Sequence, residues 1–257
     1  MKTAVSIENL SFSYDRQGPP VIFNMAFSLF AGTVTAVLGA NGVGKTTLLR
    51  LLLGLYTPDQ GDIRFFETPR AGYKAGRIKQ LMGLVSQNET IPFDLSVEEY
   101  VLLGRAPHLG LLAMPGPQDR EAVRTALDTV GMSHLAQKAV TRLSSGEKQL
   151  AHVARALAQA PEILLLDEPC SHLDLMNTRR MLNLMKTIAD RGRTVVFTTH
   201  DPNAAAAVAH GIMLVKKGEL VAFGKPETVL TEDLLTKTYG GGVEVVHTDR
   251  GPFVRTM

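Results

Sequence analysis

Hydrophobic and polar positions alternate through the first forty residues in a way that predicts strands. Ala4-Val5-Ser6-Ile7-Glu8 and a Ser-Phe-Ser-Tyr segment ending at Tyr14 are followed by a polar turn at Asp15 to Pro20, then by renewed apolar alternation. Val34-Thr35-Ala36-Val37-Leu38 is β-branched and almost wholly apolar, the pattern of a parallel strand covered on both faces. The period then lengthens. Leu48, Leu49, Leu51, Leu52 and Leu55 suit a sheet-packed helix over residues 46–55, with Pro58-Asp59-Gln60-Gly61 as its stop.

Helical periodicity dominates residues 91–160, at 97–103 and again at 119–130, separated by a Pro/Gly-rich break over 107–117. Strand patterns return only at Ile163, so this stretch reads as a helical subdomain inserted into an α/β chain. Two later β runs, 194–199 and 212–215, flank an alanine-rich helix. Gly240, Gly241 and Gly242 precede Val243-Glu244-Val245-Val246 and Phe253-Val254, which predict a small hairpin around Asp249-Arg250-Gly251. The expected division is a core of residues 1–90 and 161–236, a helical subdomain of 91–160 and a hairpin-like tail of 237–257.

Composition narrows the partners. The 257 residues are 45% hydrophobic and 20% charged, ordinary for a globular chain with a real core and too apolar for a disordered one. Lys plus Arg number 27 against 25 Asp plus Glu, a balance that draws the chain to neither nucleic acid nor anionic lipid. The single cysteine, Cys170, and the absence of zinc-ligand spacing favour a reducing, cytoplasmic setting; Cys170 and the nearby His172 read as packing or loop residues. Glu8 stands where a signal peptide needs its apolar segment, and no apolar run reaches the roughly 18 residues of a membrane span. A membrane role then has to come through a partner.

Gly39-Ala40-Asn41-Gly42-Val43-Gly44-Lys45-Thr46 fits G-x-x-x-x-G-K-[ST] at every fixed position, between a predicted strand and a predicted helix. Such a loop turns successive N–H groups toward phosphate oxygens, adds the positive end of a helix, sends Lys45 to the terminal phosphates and offers the Thr46 hydroxyl to Mg²⁺. Ile163-Leu164-Leu165-Leu166-Asp167-Glu168 ends a second apolar strand in two acids. Asp167 fits a carboxylate on the Mg²⁺ side, and Glu168 fits a base that polarises water for attack on phosphorus. Leu143-Ser144-Ser145-Gly146-Glu147-Lys148-Gln149 leads the amphipathic run Leu150, Val153, Ala154, Leu157. Two readings stand for it: a capping box of Ser144 and Glu147, or a helix start whose free N–H groups meet a second anion.

With Gln87 in Val85-Ser86-Gln87-Asn88, with Ser171-His172-Leu173-Asp174, and with His200 after the run 195–199, this ordered set resembles the ATP-binding subunit of an ABC transporter over nearly the whole chain. The resemblance implies an α/β fold: a RecA-like P-loop NTPase core, with a mixed sheet and an antiparallel N-terminal part, plus the inserted α-helical subdomain. It implies ATP and Mg²⁺ as ligands, with Gly39, Asn41, Gly42, Gly44, Lys45, Thr46 and Thr47 around the phosphates and Tyr14 stacked on adenine. Thr46, Gln87 and Asp167 would serve the metal. Glu168, His200, Gln87 and Lys45 would serve the chemistry, His200 at the γ-phosphate. Ser144, Ser145, Gly146 and Glu147 would touch the γ-phosphate held by the other subunit of a head-to-tail homodimer, and Asp174 would carry communication across it.

The same resemblance implies an integral membrane permease as partner, contacted near Gln87, and a periplasmic or extracellular substrate-binding protein met indirectly, with the chain peripheral on the cytoplasmic face. The sequence departs from the family at Ser-Ser-Gly-Glu, where Ser-Gly-Gly-Gln is common. Gly104-Arg105-Ala106-Pro107-His108 and the tail resemble importers of ferric siderophores, haem and vitamin B12, with molybdate as the next expectation. A soluble ABC-type ATPase acting on DNA or ribosomes is the alternative; it predicts a long heptad insertion, a second cassette or basic patches, and the sequence has none.

Overall fold

In the computed structural model, which describes residues 2–15, 17–87, 89, 94–110, 112–249 and 251–256, the early alternation becomes β1 (Thr3–Phe12) and β2 (Ile22–Phe30), paired antiparallel. Asn88, Ile91 and Arg250, used in the readings above, lie outside the described residues. β1 stops at Phe12, so Tyr14 stands beyond the strand to which the alternation assigned it; the Ser13 N–H is drawn instead to the Asp59 carboxylate, at 2.7 Å. β3 (Val34–Leu38) is buried throughout, as its composition requires.

α1 (Lys45–Leu53) ends two residues earlier than expected, because Gly54 turns left-handed (φ 80°) and returns its N–H to the Arg50 and Leu51 carbonyls. Gln60 and Gly61, read as the helix stop, instead open β4 (Gln60–Phe65), which pairs with β1 and, through the two-residue β5 (Thr68–Pro69), completes a sheet ordered β2-β1-β4-β5. α2 (Ala75–Leu81) and β6 (Met82–Val85) then deliver the chain to Gln87.

Between β6 and residue 163 the described residues contain helices and turns but no strand, as the periodicity predicts. α3 (Val97–Leu102) is opened by a Ser96–Glu99 capping box and runs into a 3₁₀ turn at Leu103–His108. α4 (Pro117–Val130) begins on its proline and α5 (Ser145–Ala158) on the Ser144–Glu147 box. The 3₁₀ turn supplies side-chain partners to the C-terminal end of α5. Arg105 Nη1 donates to the Ala158 carbonyl (2.8 Å) while its Nε pairs with Asp119 (2.8 Å), and His108 Nε2 meets the Gln159 carbonyl (2.8 Å). Both side chains therefore brace the helical segment.

The chain resumes as β7 (Ile163–Leu166), α6 (Leu175–Asp190), β8 (Thr194–Thr199), α7 (Pro202–Val208), β9 (Gly211–Lys216), β10 (Glu219–Gly224), α8 (Pro226–Val229) and α9 (Glu232–Tyr239). β11 (Val243–Thr248) and β12 (Gly251–Thr256) form the expected hairpin, which the Asn203 side chain clamps by bonding both the N–H and the carbonyl of Val254. The main sheet runs β10-β9-β3-β8-β7-β6, parallel except for the antiparallel edge β10.

Period-two alternation divides this sheet between two apolar clusters. Val34, Ala36, Leu38, Leu164, Leu166, Val195, Phe197, Ile212 and Leu214 join α3, α4, α5 and α6 on one face. Val37, Ile163, Leu165, Val196, Met213 and Val215 join α1 and the antiparallel sheet on the other. The sheet's carboxyl edge, where β3, β7 and β8 end in Leu38, Leu166 and Thr199, is left to carry polar groups. This is a P-loop NTPase architecture: a mixed α/β core, an antiparallel N-terminal sheet and an inserted helical subdomain.

Candidate functional site

The Gly39–Thr46 loop joins β3 to α1, and α1 begins at Lys45, so the N–H groups of its first turn lack intrahelical partners and face outward. Gly44 allows this entry: its φ is 102°, and a Cβ there would lie 2.8 Å from the Val21 carbonyl oxygen. Tyr14, Asn41, Gly42, Gly44, Lys45, Thr46, Thr47, Gln87 and Glu168 together line a recess of about 420 Å³. Its members come from the β1 exit, the loop, α1, the β6 exit and the β7 exit, so the fold joins positions more than 150 residues apart.

Lys45 is 5% exposed. Its ammonium donates to the Gly39 (2.7 Å) and Ala40 (3.2 Å) carbonyls and stands 3.1 Å from Glu168 Oε1. Two carbonyls take two of its donors, and the third partner is an ion pair. The lysine thus fills its own cradle, and an arriving phosphate has to take the place of these partners. Glu168, 8% exposed, adopts φ 48°, an uncommon left-handed backbone that turns its carboxylate into the recess. Its Oε2 meets His200 Nδ1 at 3.0 Å, and Oε1 has the ion pair but no hydrogen-bond donor among the described residues. The Lys45 ammonium therefore covers this buried oxygen.

Asp167 points to the other side of the loop. Its Oδ2 accepts from the Thr46 hydroxyl (2.7 Å) and its Oδ1 from the Thr198 hydroxyl (2.6 Å). Thr46, Asp167 and Gln87 share a second small recess. Hydroxyl, carboxylate and amide oxygens are hard donors, and few of them suit Mg²⁺, which keeps waters and substrate phosphates in its shell. Tyr14 is 58% exposed and held by its hydroxyl on Thr47 Oγ1 (2.8 Å), with Phe12 and Tyr56 edge-on to its ring. With more than half of its surface exposed, the ring has room beside it for a flat ligand.

None of Ser144, Ser145, Gly146 and Glu147 lines the recess among the described residues. Ser144 is the N-cap of α5, accepting from the Glu147 N–H, and the Glu147 carboxylate accepts from the Ser144 N–H (2.8 Å) while pairing with Lys138 (3.4 Å). The Ser144 N–H holds this carboxyl below the usual range. The capping-box reading is therefore realised, and the Glu147 charge is spent on its own helix. Ser145 takes ordinary helical backbone at the first position of α5, so replacing the family's glycine there introduces no strain. Gly146 is needed for packing, since a Cβ would approach Asn177 Cγ of α6 to 2.6 Å. Asp174 caps α6 through the Asn177 N–H (2.7 Å), and Ser171 folds back on the Glu168 carbonyl (2.8 Å).

Sequence reasoning missed Thr198, whose hydroxyl joins the two acids, and the cluster of Glu89, Tyr100, His152 and Arg155 beneath the Gln87 turn. Neither has a local signal. A threonine in a β-branched run reads as strand, and His152 reads as one more position on a helix.

The family model for the ABC transporter matches residues 22–171. The molybdate import ATP-binding protein of Haemophilus influenzae is 39% identical over 93% of this chain and 89% of its own length. The ferric enterobactin transport ATP-binding protein of Escherichia coli is 36% identical over 91% and 86%. A solved structure described as an inward-facing metal-chelate type ABC transporter superposes with a TM-score of 0.85 at 36% identity, covering all of this chain and 97% of that one. The chain belongs to the ABC transporter family, as an ATP-binding subunit whose hydrolysis of ATP is coupled to transport.

Proposed function

We propose that the recess holds Mg-ATP and that two copies of the chain close head to tail on two nucleotides, driving a separate membrane permease from its cytoplasmic face. The observation that carries this reading is the convergence of Lys45, Thr46, Asp167, Glu168 and His200 on one loop-and-strand edge. Lys45 exchanges Glu168 for the terminal phosphates, and the first-turn N–H groups of α1 take the phosphate oxygens. Glu168, released from Lys45 and still held by His200, orients a water by accepting its proton. Thr46, Asp167 and Gln87 would hold Mg²⁺, which supplies positive charge beside the phosphates when bound. Tyr14 stacks on the base, with Gly39, Asn41, Gly42, Gly44 and Thr47 shaping the loop around the phosphates.

Two features support the dimer. The exposed start of α5 at Ser144 and Ser145 stands outside its own chain's recess, so it serves a nucleotide only by meeting another chain's loop. Leu175 and Met176, just after Asp174, are 84% and 70% exposed, an apolar pair suited to burial. The reading also divides the chain into a core of 1–90 and 161–236, a helical subdomain of 91–160 and a tail of 237–257. No helix among the described residues is long and apolar enough to cross a membrane, and in this reading the membrane passage belongs to the permease. A substrate-binding protein would deliver cargo to that permease, and no nucleic acid is involved.

For cargo we propose a metal chelate of the ferric siderophore, haem or cobalamin kind, supported by the ferric enterobactin relative and the metal-chelate type structure. Molybdate is the second reading, favoured by the Haemophilus influenzae relative. Deleting the gene and measuring uptake of labelled ferric siderophore, haem, cobalamin and molybdate decides between them. Unchanged uptake of all four would overturn both cargo readings while leaving the ATPase site standing.

A further inference from the structure

Thr198 lies in β8, where every residue is buried, and is itself 0% exposed. Its strand neighbours Val195, Val196 and Phe197 are apolar, and valine has almost the same shape as threonine. A hydroxyl at this depth is unfavourable unless it is hydrogen-bonded. Here both of its capacities are used. A hydroxyl has one proton, and the Asp167 carboxylate accepts it at 2.6 Å; the oxygen in turn accepts the Glu168 N–H at 2.8 Å.

That single oxygen therefore joins the two acids on which the proposed chemistry depends. The chain of donors runs from the Glu168 N–H to Thr198 Oγ1, from Thr198 Oγ1–H to Asp167 Oδ1, and from Thr46 Oγ1–H to Asp167 Oδ2. Each bond constrains something functional. The first anchors Glu168 in its left-handed φ of 48°, the backbone that aims its carboxylate at the recess. The second fixes the rotation of the Asp167 carboxylate, so that the other oxygen faces the Thr46 hydroxyl.

We infer that Thr198 is a positioning residue for nucleotide hydrolysis, setting through one buried hydroxyl both the aim of Glu168 and the orientation of Asp167 toward the metal side. The inference rests on the reading of the recess as a Mg-ATP site. Groups that orient metal-side carboxylates without touching substrate typically change activity or metal affinity by about 10- to 100-fold when removed.

The test compares Thr198→Val, which keeps shape and loses the hydroxyl, with Thr198→Ser, which keeps the hydroxyl and loses a buried methyl. For each full-length variant, kcat and KM for ATP, thermal melting, and the Mg²⁺ dependence of fluorescent ATP-analogue binding are measured. Thr198→Val should lower kcat about tenfold or more, require more Mg²⁺ for half-maximal binding, and leave metal-free nucleotide affinity unchanged. Thr198→Ser should restore kcat and the Mg²⁺ midpoint even though it melts lower. A purely packing role predicts the reverse ranking, with valine near wild type and serine impaired; that ranking, or equal behaviour of valine and an active wild type, overturns the inference alone. A wild-type chain without Mg²⁺-dependent turnover overturns the site reading and the inference together.

Discussion

Lys45 is the residue on which the site turns. In the structure its ammonium satisfies two loop carbonyls and neutralises Glu168, so three obligations have to be exchanged when phosphate arrives. On the proposed reading, replacing it by alanine removes the charge that meets the terminal phosphates, and it leaves a buried carboxylate without its cation. Lys45→Ala should therefore weaken nucleotide affinity about tenfold or more, read by fluorescent-nucleotide titration, while the Thr46–Asp167 bond and the loop's N–H cradle persist. Unchanged affinity would show that the lysine does not reach the phosphates. Glu168 depends on that same exchange, since its Oε1 is free for water only after Lys45 departs. Cys170, expected to be a packing residue, is two residues further on, and burial pushes its thiol up to about 12, so it stays protonated and inert at neutral pH.

At the scale of elements, the helical segment is held by polar contacts that join distant positions. Arg105 closes the C-terminal end of α5 and holds the Asp119 carboxyl below its ordinary range. Arg105→Ala should lower the melting temperature by a few degrees, with nucleotide affinity retained; calorimetry in the presence and absence of ATP checks both. His152, on α5, shares a 2.6 Å hydrogen bond with the Tyr100 hydroxyl of α3, and burial, with Arg155 and Lys148 adding to it, lowers its pKa from 6.5 to about 4. Glu89, 3.8 Å away, opposes this but is itself paired with Arg155 at 2.7 Å. The unfolded chain thus binds the proton that the folded chain refuses between about pH 4 and 6.5, and stability falls as pH drops through that window. From pH 7 to pH 5 the loss from this one group is about 2 kcal/mol. His152→Gln should remove it, flattening the dependence of urea midpoints on pH; an unaltered slope would contradict a neutral buried His152.

These element-scale contacts are also where sequence reading reached its limit. The Gly39–Thr46 loop, the Asp167–Glu168 strand end, the Ser144–Glu147 box and the terminal hairpin were legible because each is a local pattern with a fixed period or spacing. The end of α1 is set by Gly54, a lone glycine whose stop signal is locally weaker than that of the Pro58 cluster. β4 is hidden because its alternation Asp62-Ile63-Arg64-Phe65 follows directly on the turn residues Pro58-Asp59-Gln60-Gly61, and β6 because four residues are too few to show a period. Thr198, Arg105 and His152 act across 31, 53 and 52 residues of sequence, and no pattern within one element encodes such pairs.

At the scale of the whole molecule, the doubly covered sheet fixes one polar edge, and the chemistry gathers there from five separate segments. The exposed start of α5 and the apolar Leu175 and Met176 are the surfaces that nucleotide-driven closure of two copies would cover. Glu168→Gln keeps the shape of the side chain but weakens the acceptor for water, so ATP should hold two such chains together, and light scattering should show the 27.9 kDa chain doubling in mass with ATP and reverting without it. On the proposed function, the wild-type chain joined to a permease in lipid should turn over faster than alone, because that reading has the Gln87 turn shift with the docked partner. The most direct test of the account is phosphate release by the purified chain with and without Mg²⁺, measured in parallel for wild type and Glu168→Gln at saturating ATP. The account predicts Mg²⁺-dependent turnover in the wild type and a loss of about 100-fold or more in the variant with ATP binding intact; a variant that binds ATP and turns over at the wild-type rate would contradict it.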